Sequence, residues 1–178
     1  MPNQAQEPFS LEFSPVSQRQ QIQQLAQIAS EVWHQHYAAI LSAEQIDYMV
    51  EQFQSTSAIE HQLNQEHYSY YLVHTPQGLA GYVGVQLEPQ GDSLFLSKLY
   101  LKREFRGRGI ARQALSFLEG LARSQGRKTI WLTVNKHNAG SIAVYRHLGF
   151  ETVRAQVSEI GQGYVMDDYV MEKPVSAG

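Results

Sequence analysis

The chain has 178 residues, 43% of them hydrophobic, a formal net charge of −3 and no cysteine. That length suits one domain, able to bury about 70% of its unfolded surface, and the lack of cysteine excludes disulfides, a thiol nucleophile and a Cys-based metal site. The acidic balance argues against nucleic-acid binding by the whole surface, and no apolar run approaches the ~20 residues of a membrane span.

Met1-Pro2-Asn3-Gln4 lacks the basic-then-apolar pattern of a signal peptide. The expectation is a cytoplasmic protein folded as a single domain over 1–178, with loose ends at about 1–8 and 175–178. Residues 9–13 alternate apolar and polar and predict a strand. Ser17 with Gln20, Ser42 with Gln45 and Ser57 with Glu60 each fit a capping box, which predicts three helices before residue 67. The first would place Ile22, Leu25, Ala29, Val32, Trp33, His36 and Ile40 on one face and a glutamine-rich, solvated face opposite.

Strands over 68–74 and 79–87 flank a Thr75-Pro76-Gln77-Gly78 turn and predict a hairpin. Pro89-Gln90-Gly91-Asp92 then turns the chain into a strand over 93–101. A helix over 109–126, with Ile110, Ala114, Leu118, Leu121 and Ala122 at helical spacing, precedes a strand over 129–134. A short helix over 138–148, capped by Asn138 and closed by Gly149, leads to strands over 151–157 and 164–173. The order β-α-α-α-β-β-β-α-β-α-β-β predicts an α+β fold, a mixed, mostly antiparallel sheet with helices on both faces.

Between the strand ending at Leu101 and the following helix lies Lys102-Arg103-Glu104-Phe105-Arg106-Gly107-Arg108-Gly109. A helix start leaves backbone N–H groups unpaired and carries partial positive charge. Gly107 and Gly109 remove side chains that would keep a ligand from those groups, and Arg106 and Arg108 add charge. This favours a phosphate, most naturally a pyrophosphate, although an Arg-Gly-Arg-Gly run also fits a solvated turn. No Gly-Lys-Ser/Thr follows, so the segment is not a P-loop, and Arg112 stands where a dinucleotide fingerprint has its third glycine. Tyr145 taken alone fits a packed tyrosine with a satisfied hydroxyl.

Taken together, Arg106-x-x-Gly109-x-Ala111 and the downstream Asn138, Ser141, Tyr145 and Gly149-Phe150 resemble the GNAT superfamily of acetyl-CoA-dependent N-acetyltransferases. The resemblance runs over about residues 70 to 173 and more loosely back to residue 10. Lys98-Leu99-Tyr100-Leu101, the aromatic-rich first helix and Asp168-Tyr169-Val170-Met171 give a weaker likeness to the polyamine-acetylating branch. The resemblance implies acetyl transfer from acetyl-CoA to a primary amine by direct attack. No metal is expected, because His34 and His36, two apart on a helix, point in different directions and His137 and His147 lack partners at ligand spacing. The resemblance also implies that Leu99, Tyr100 and Leu101 pair with the pantetheine arm and that residues 106–111 (Arg106, Gly107, Arg108, Gly109, Ile110, Ala111) hold the pyrophosphate. Asn138 and Ser141 would hold the cofactor arm, and Tyr145 would serve the departing sulfur as acid or hydrogen-bond donor.

The acceptor pocket is expected beneath the first helices and the last hairpin. Trp33, Tyr37 and Tyr48 could line it, with Asp167 or Asp168 attracting a cationic amine. Trp33 also fits the core, Tyr37 and Tyr48 an amphipathic surface, and the two aspartates a solvated strand entrance. Glu31, His36 and Asp168 are eligible as the base, as is a water chain, and none is assigned. Pairing of two copies through the last strand is open, and so is the acceptor, which in relatives ranges from small amines and polyamines to proteins. A non-catalytic CoA-binding or metabolite-sensing module is the alternative. A nucleic-acid domain built on the Arg103–Arg108 cluster is disfavoured by the net charge.

Overall fold

A computed structural model describes residues 10–177. Phe9, the loose end expected over 1–8, and Gly178 lie outside the described residues. The elements run β1 Glu12–Pro15, α1 Arg19–Tyr37, α2 Ala43–Gln54, α3 Thr56–Gln65, β2 Tyr68–Thr75, β3 Gly78–Gln86, β4 Ser93–Leu101, α4 Ile110–Ser124, β5 Thr129–Asn135, α5 Ala139–His147, β6 Glu151–Gly161 and β7 Tyr164–Pro174. A short 3-10 turn, Arg103–Phe105, sits between β4 and α4. The element order is the one the sequence predicts. The strands form one sheet in the order β1-β2-β3-β4-β5-β7-β6, antiparallel except where β4 meets β5.

Several local expectations shift. Among the described residues the first strand covers Glu12–Pro15, leaving Ser10 and Leu11 of the expected strand outside it. The first helix starts from Gln18, and the Gln21 side-chain oxygen accepts from the backbone N–H of both Ser17 and Gln18, at 2.9 Å each. Gln21, not Gln20, therefore closes that box. Ser42 caps α2 as predicted, accepting from Gln45 N–H at 3.1 Å, but the Gln45 amide reaches away to the Val165 carbonyl. The third helix is capped by Ser55, not Ser57, because α2 ends at Gln54 and Ser55 serves both helices. The sixth strand extends to Gly161, four residues past the expected end.

Alternation along the strands builds a core on each face. On one face Val73, Val83, Val85, Leu94 and Leu96 pack under Ile110, Ala114, Leu118 and Ala122 of α4 and Ile142 of α5. On the other, Tyr70, Leu72 and Tyr82 pack under α1, α2 and α3. This second core is polar at its centre. Trp33 Nε1 donates to Tyr82 Oη (2.8 Å), Tyr82 donates to Gln54 Oε1 (2.6 Å), Gln54 Nε2 donates to Tyr70 Oη (3.2 Å), and Tyr70 donates to Gln62 Oε1 (2.5 Å). Each member of this network finds a partner, which avoids the roughly 1–3 kcal/mol cost of an orphan.

The fourth strand positions the site. Leu94 and Leu96 face α4, and strict alternation would point Leu99 and Leu101 the other way. The pairing with β3 skips Ser97, with Gly84 opposite Lys98 and Val85 opposite Leu96. This one-residue bulge returns Leu99 and Leu101 to the α4 face and sends Tyr100 to the α1 face. The strand then parts from its neighbour. It pairs with β5 only over Ser93–Thr129, Leu94–Ile130 and Phe95–Trp131, so the sheet forks beyond Phe95.

Candidate active site

The fork opens into a cleft of about 830 Å³. Leu99, Tyr100 and Leu101 form one wall, Asn138, Ser141 and Tyr145 the opposite wall, and Arg106, Gly107, Gly109, Ile110 and Ala111 the floor at the start of α4. His36, from the last turn of α1, also reaches the cleft. Residues from both motifs are thus brought together, although about thirty positions separate them in the chain.

The floor is built for close backbone approach. Gly107 and Gly109 have φ of +74° and +77°, a left-handed conformation that favours glycine. A Cβ added at either would touch no protein atom within 4 Å and would project into open space. Gly109 also caps α4 without a side-chain hydrogen bond, which leaves the first-turn N–H groups free to bind an anion. Arg106 is held across the floor by Nε donating to the Leu101 carbonyl at 3.1 Å. Arg108 departs from the expectation. Its guanidinium lies on the far side of the turn, stacked over Phe105 and bonded to Gln77 Oε1 at 3.2 Å, in a separate 480 Å³ pocket. The left-handed glycines on either side of Arg108 turn it away from Arg106.

On the far wall Asn138 caps α5 as predicted, its Oδ1 accepting from Ser141 N–H at 3.1 Å. Tyr145, one face of α5 along, rests its ring edge-on against Phe150, with centroids 5.6 Å apart. No hydrogen bond to its hydroxyl exists among the described residues. Burial pushes the phenol above its ordinary pKa, and the nearby Tyr37 adds to the shift. The group therefore stays protonated, and Tyr145 is among the residues that line the cleft.

The acceptor-side candidates lie outside the cleft lining. Trp33 is 4% exposed with its indole N–H committed to Tyr82, which makes it a core residue rather than a pocket wall. Tyr48 donates to the Ile160 carbonyl at 2.7 Å and fastens α2 to the β6–β7 hairpin. Glu31 is exposed on α1. Tyr37 is buried, its hydroxyl 2.9 Å from that of Tyr100 on the cleft wall, and burial pushes it up to about 12. His36 is poorly suited to act as the base. Its Nε2 already engages Asn138 Nδ2 at 2.8 Å, and burial with the Arg106 charge lowers it to about 4.

Asp168, on β7 opposite Asn135, is only 6% exposed, and its Oδ1 has no hydrogen-bond partner. Burial, with the Asp167 charge beside it, raises the carboxyl from 3.8 to about 6, against the pull of Lys136. The folded value lies above the unfolded one, so stability falls as pH rises from about 4 to 6 and stays lower above that. Asp168→Asn, which removes the ionisation, is expected to melt higher than the parent at pH 7.5 and alongside it at pH 4. Thermal melts at both pH values check this, and a pH-independent offset would mean that the ionised carboxylate has a partner.

Among the described residues no group of three His, Cys, Asp or Glu side chains could hold a metal ion, and no helix is long and apolar enough to cross a membrane. A family model described as "Acetyltransferase (GNAT) family" matches residues 24–150. The [ribosomal protein bS18]-alanine N-acetyltransferase of Salmonella typhimurium is 33% identical over 87 residues, which is 48% of this chain and 58% of that protein. An L-methionine sulfoximine/L-methionine sulfone acetyltransferase of Pseudomonas paraeruginosa is 35% identical over 66 residues, 37% of this chain and 38% of that one. The match therefore spans less than two thirds of either relative. The crystal structure of PaiA N-acetyltransferase from Thermoplasma acidophilum, in complex with coenzyme A, superposes with a TM-score of 0.75 at 22% identity, covering 93% of this chain and 99% of that one. That likeness is one of fold.

Proposed function

The chain belongs to the GNAT acetyltransferase family, and on that premise we propose that it moves the acetyl group of acetyl-CoA to a primary amine by direct attack. When bound, acetyl-CoA supplies the activated thioester. The chain supplies the rest. The N–H groups at the start of α4, with Gly107, Gly109, Ile110, Ala111 and the Arg106 charge, hold the pyrophosphate. The forked edge of β4 at Leu99, Tyr100 and Leu101 offers backbone groups that an amide-bearing arm can satisfy like a short strand. Asn138 and Ser141 bound that arm from α5.

The observation that carries the reading is the unengaged Tyr145 hydroxyl on the cleft wall. With its pKa raised, full proton transfer to a thiolate is uphill. Tyr145 therefore acts as a fixed hydrogen-bond donor where negative charge develops on the leaving sulfur. On the acceptor side Asp168 and Tyr37 form the polar end, and the ionised Asp168 carboxylate, whose Oδ1 has no hydrogen-bond partner, suits an ammonium group. A screen of thiol release from acetyl-CoA across an amine library tests the proposal. Transfer to at least one primary amine supports it, whereas tight CoA binding with no transfer to any amine supports a binding or sensing module. Proteins and polyamines belong in the panel beside small amines.

The two arginines separate by experiment. Arg106→Gln is expected to weaken CoA by about tenfold, the loss of one charge-assisted contact of roughly 1.5 kcal/mol, and to leave a pantetheine fragment unaffected. Arg108→Gln, on the other side of the turn, should change neither. Calorimetry with both ligands measures this. Equal weakening of CoA and the fragment by Arg106→Gln would place that arginine's effect in folding rather than in phosphate binding.

A further inference from the structure

We propose that His36 is a positioning residue for the cofactor-facing end of α5, acting as the neutral Nδ1–H tautomer that accepts a hydrogen bond from Asn138. The choice of ligand in its test rests on the acetyl-CoA reading of the cleft; the tautomer does not.

The tautomer follows from the cap. Asn138 Oδ1 is committed to the Ser141 N–H at 3.1 Å, so the amide must turn its Nδ2 toward His36. An amide nitrogen only donates, and it lies 2.8 Å from His36 Nε2. That ring nitrogen must offer its lone pair, which puts the proton on Nδ1. The ring cannot swing away. It is wedged edge-on between Tyr37 and Tyr100, with centroid separations of 4.7 and 5.3 Å.

The charged and titratable groups acting on this ring are the Arg106 guanidinium, from the turn before α4, and the neutral phenols of Tyr37 on α1 and Tyr100 on β4. None supplies a negative charge, so the imidazole stays uncharged, with its value lowered to about 4.

The contact has a purpose because α5 is only nine residues long. A helix that short is marginal by itself and depends on tertiary contacts to hold its start. Asn138 begins the helix that carries Ser141 and Tyr145 into the cleft, and His36 locks the Asn138 amide in its capping orientation. Through this pair, α1 on one side of the fork braces α5 on the other.

Long-range 15N–1H correlation spectra of the protein should give the Nδ1–H tautomer for His36, with no titration between pH 5.5 and 8. Calorimetry with CoA on four variants reads the positioning role. His36→Phe keeps a ring but loses the acceptor, and should weaken CoA by about 5- to 10-fold. His36→Gln, whose Oε1 can take the Asn138 hydrogen bond, should bind within about twofold of the parent. In an Asn138→Ala background His36→Phe should cost nothing further, because the two act through one bond. An Nε2–H tautomer or an imidazolium at pH 7 overturns the proposal, and so do equal losses for Gln and Phe or additive losses in the double variant. If the parent itself binds no CoA, the cofactor reading falls and the spectra alone decide the fate of His36.

Discussion

Tyr145→Phe is expected to slow single-turnover acetyl transfer by about 10²- to 10³-fold, the usual loss when one fixed donor is removed from a developing anion. The substitution keeps the ring against Phe150 and its packing on the wall of the cleft. It removes only a hydroxyl that has no protein partner among the described residues, so no buried group is orphaned and the melting temperature should hold. Affinity for acetyl-CoA should change little, because the donor matters most once charge reaches the sulfur. A parental rate in a folded variant would remove Tyr145 from the reaction. The effect should also vary little from pH 6 to 9, since burial keeps the phenol protonated across that range. A rate that rises with the ionisation of the phenol would instead mark Tyr145 as a base.

Gly109→Val is expected to weaken CoA by about 100-fold, the equivalent of two charge-assisted hydrogen bonds lost at roughly 1.5 kcal/mol each. The branched side chain would fill the open space above the first turn of α4, where no protein atom approaches within 4 Å. The φ of +77° complicates the outcome, since any L side chain is strained there. Gly126→Val is the control. Its φ is +67°, its Cβ would also meet nothing, and it lies at the other end of the same helix. Both variants should lose comparable stability by thermal melt, and only Gly109→Val should lose CoA by calorimetry. Equal CoA binding by both would mean that the start of α4 does not hold the phosphates.

The parts of this site that could be read from the chain are those whose chemistry is local. A glycine pair before an amphipathic helix and an asparagine three residues before a serine state their geometry within a few positions, and both lie where the spacing put them. Arg108 could not be placed that way. Nothing in Arg-Gly-Arg-Gly says that two left-handed glycines will send its arginines to opposite sides of a turn. Gln54 and Gln62 carry no sign of burial in their own segments. They enter the core because Tyr70 and Tyr82, on two other elements, offer partners for both their amide oxygens. Trp33 followed from helical periodicity, yet its bond to Tyr82 spans 49 positions. The role of His36 was hidden for the same reason, since its partner lies 102 residues downstream.

The extra residue at Ser97 gives the two ends of β4 different reading frames. Upstream of it, even-numbered leucines face α4; downstream, odd-numbered ones do. Were Ser97 drawn into the ladder with no residue removed, the strand would run in one frame and exchange the two sides of everything after it. Leu99 and Leu101 would turn toward α1, and Tyr100 would leave Tyr37 for the underside of α4. Removing a residue from the 87–92 connection would cost only loop length. Deleting Ser97 would likewise leave the wall of the cleft in place, because Val85 already pairs with Leu96 and Gly84 with Lys98, so among descendants of this chain the loss of that one residue should be tolerated where its absorption into the ladder is not.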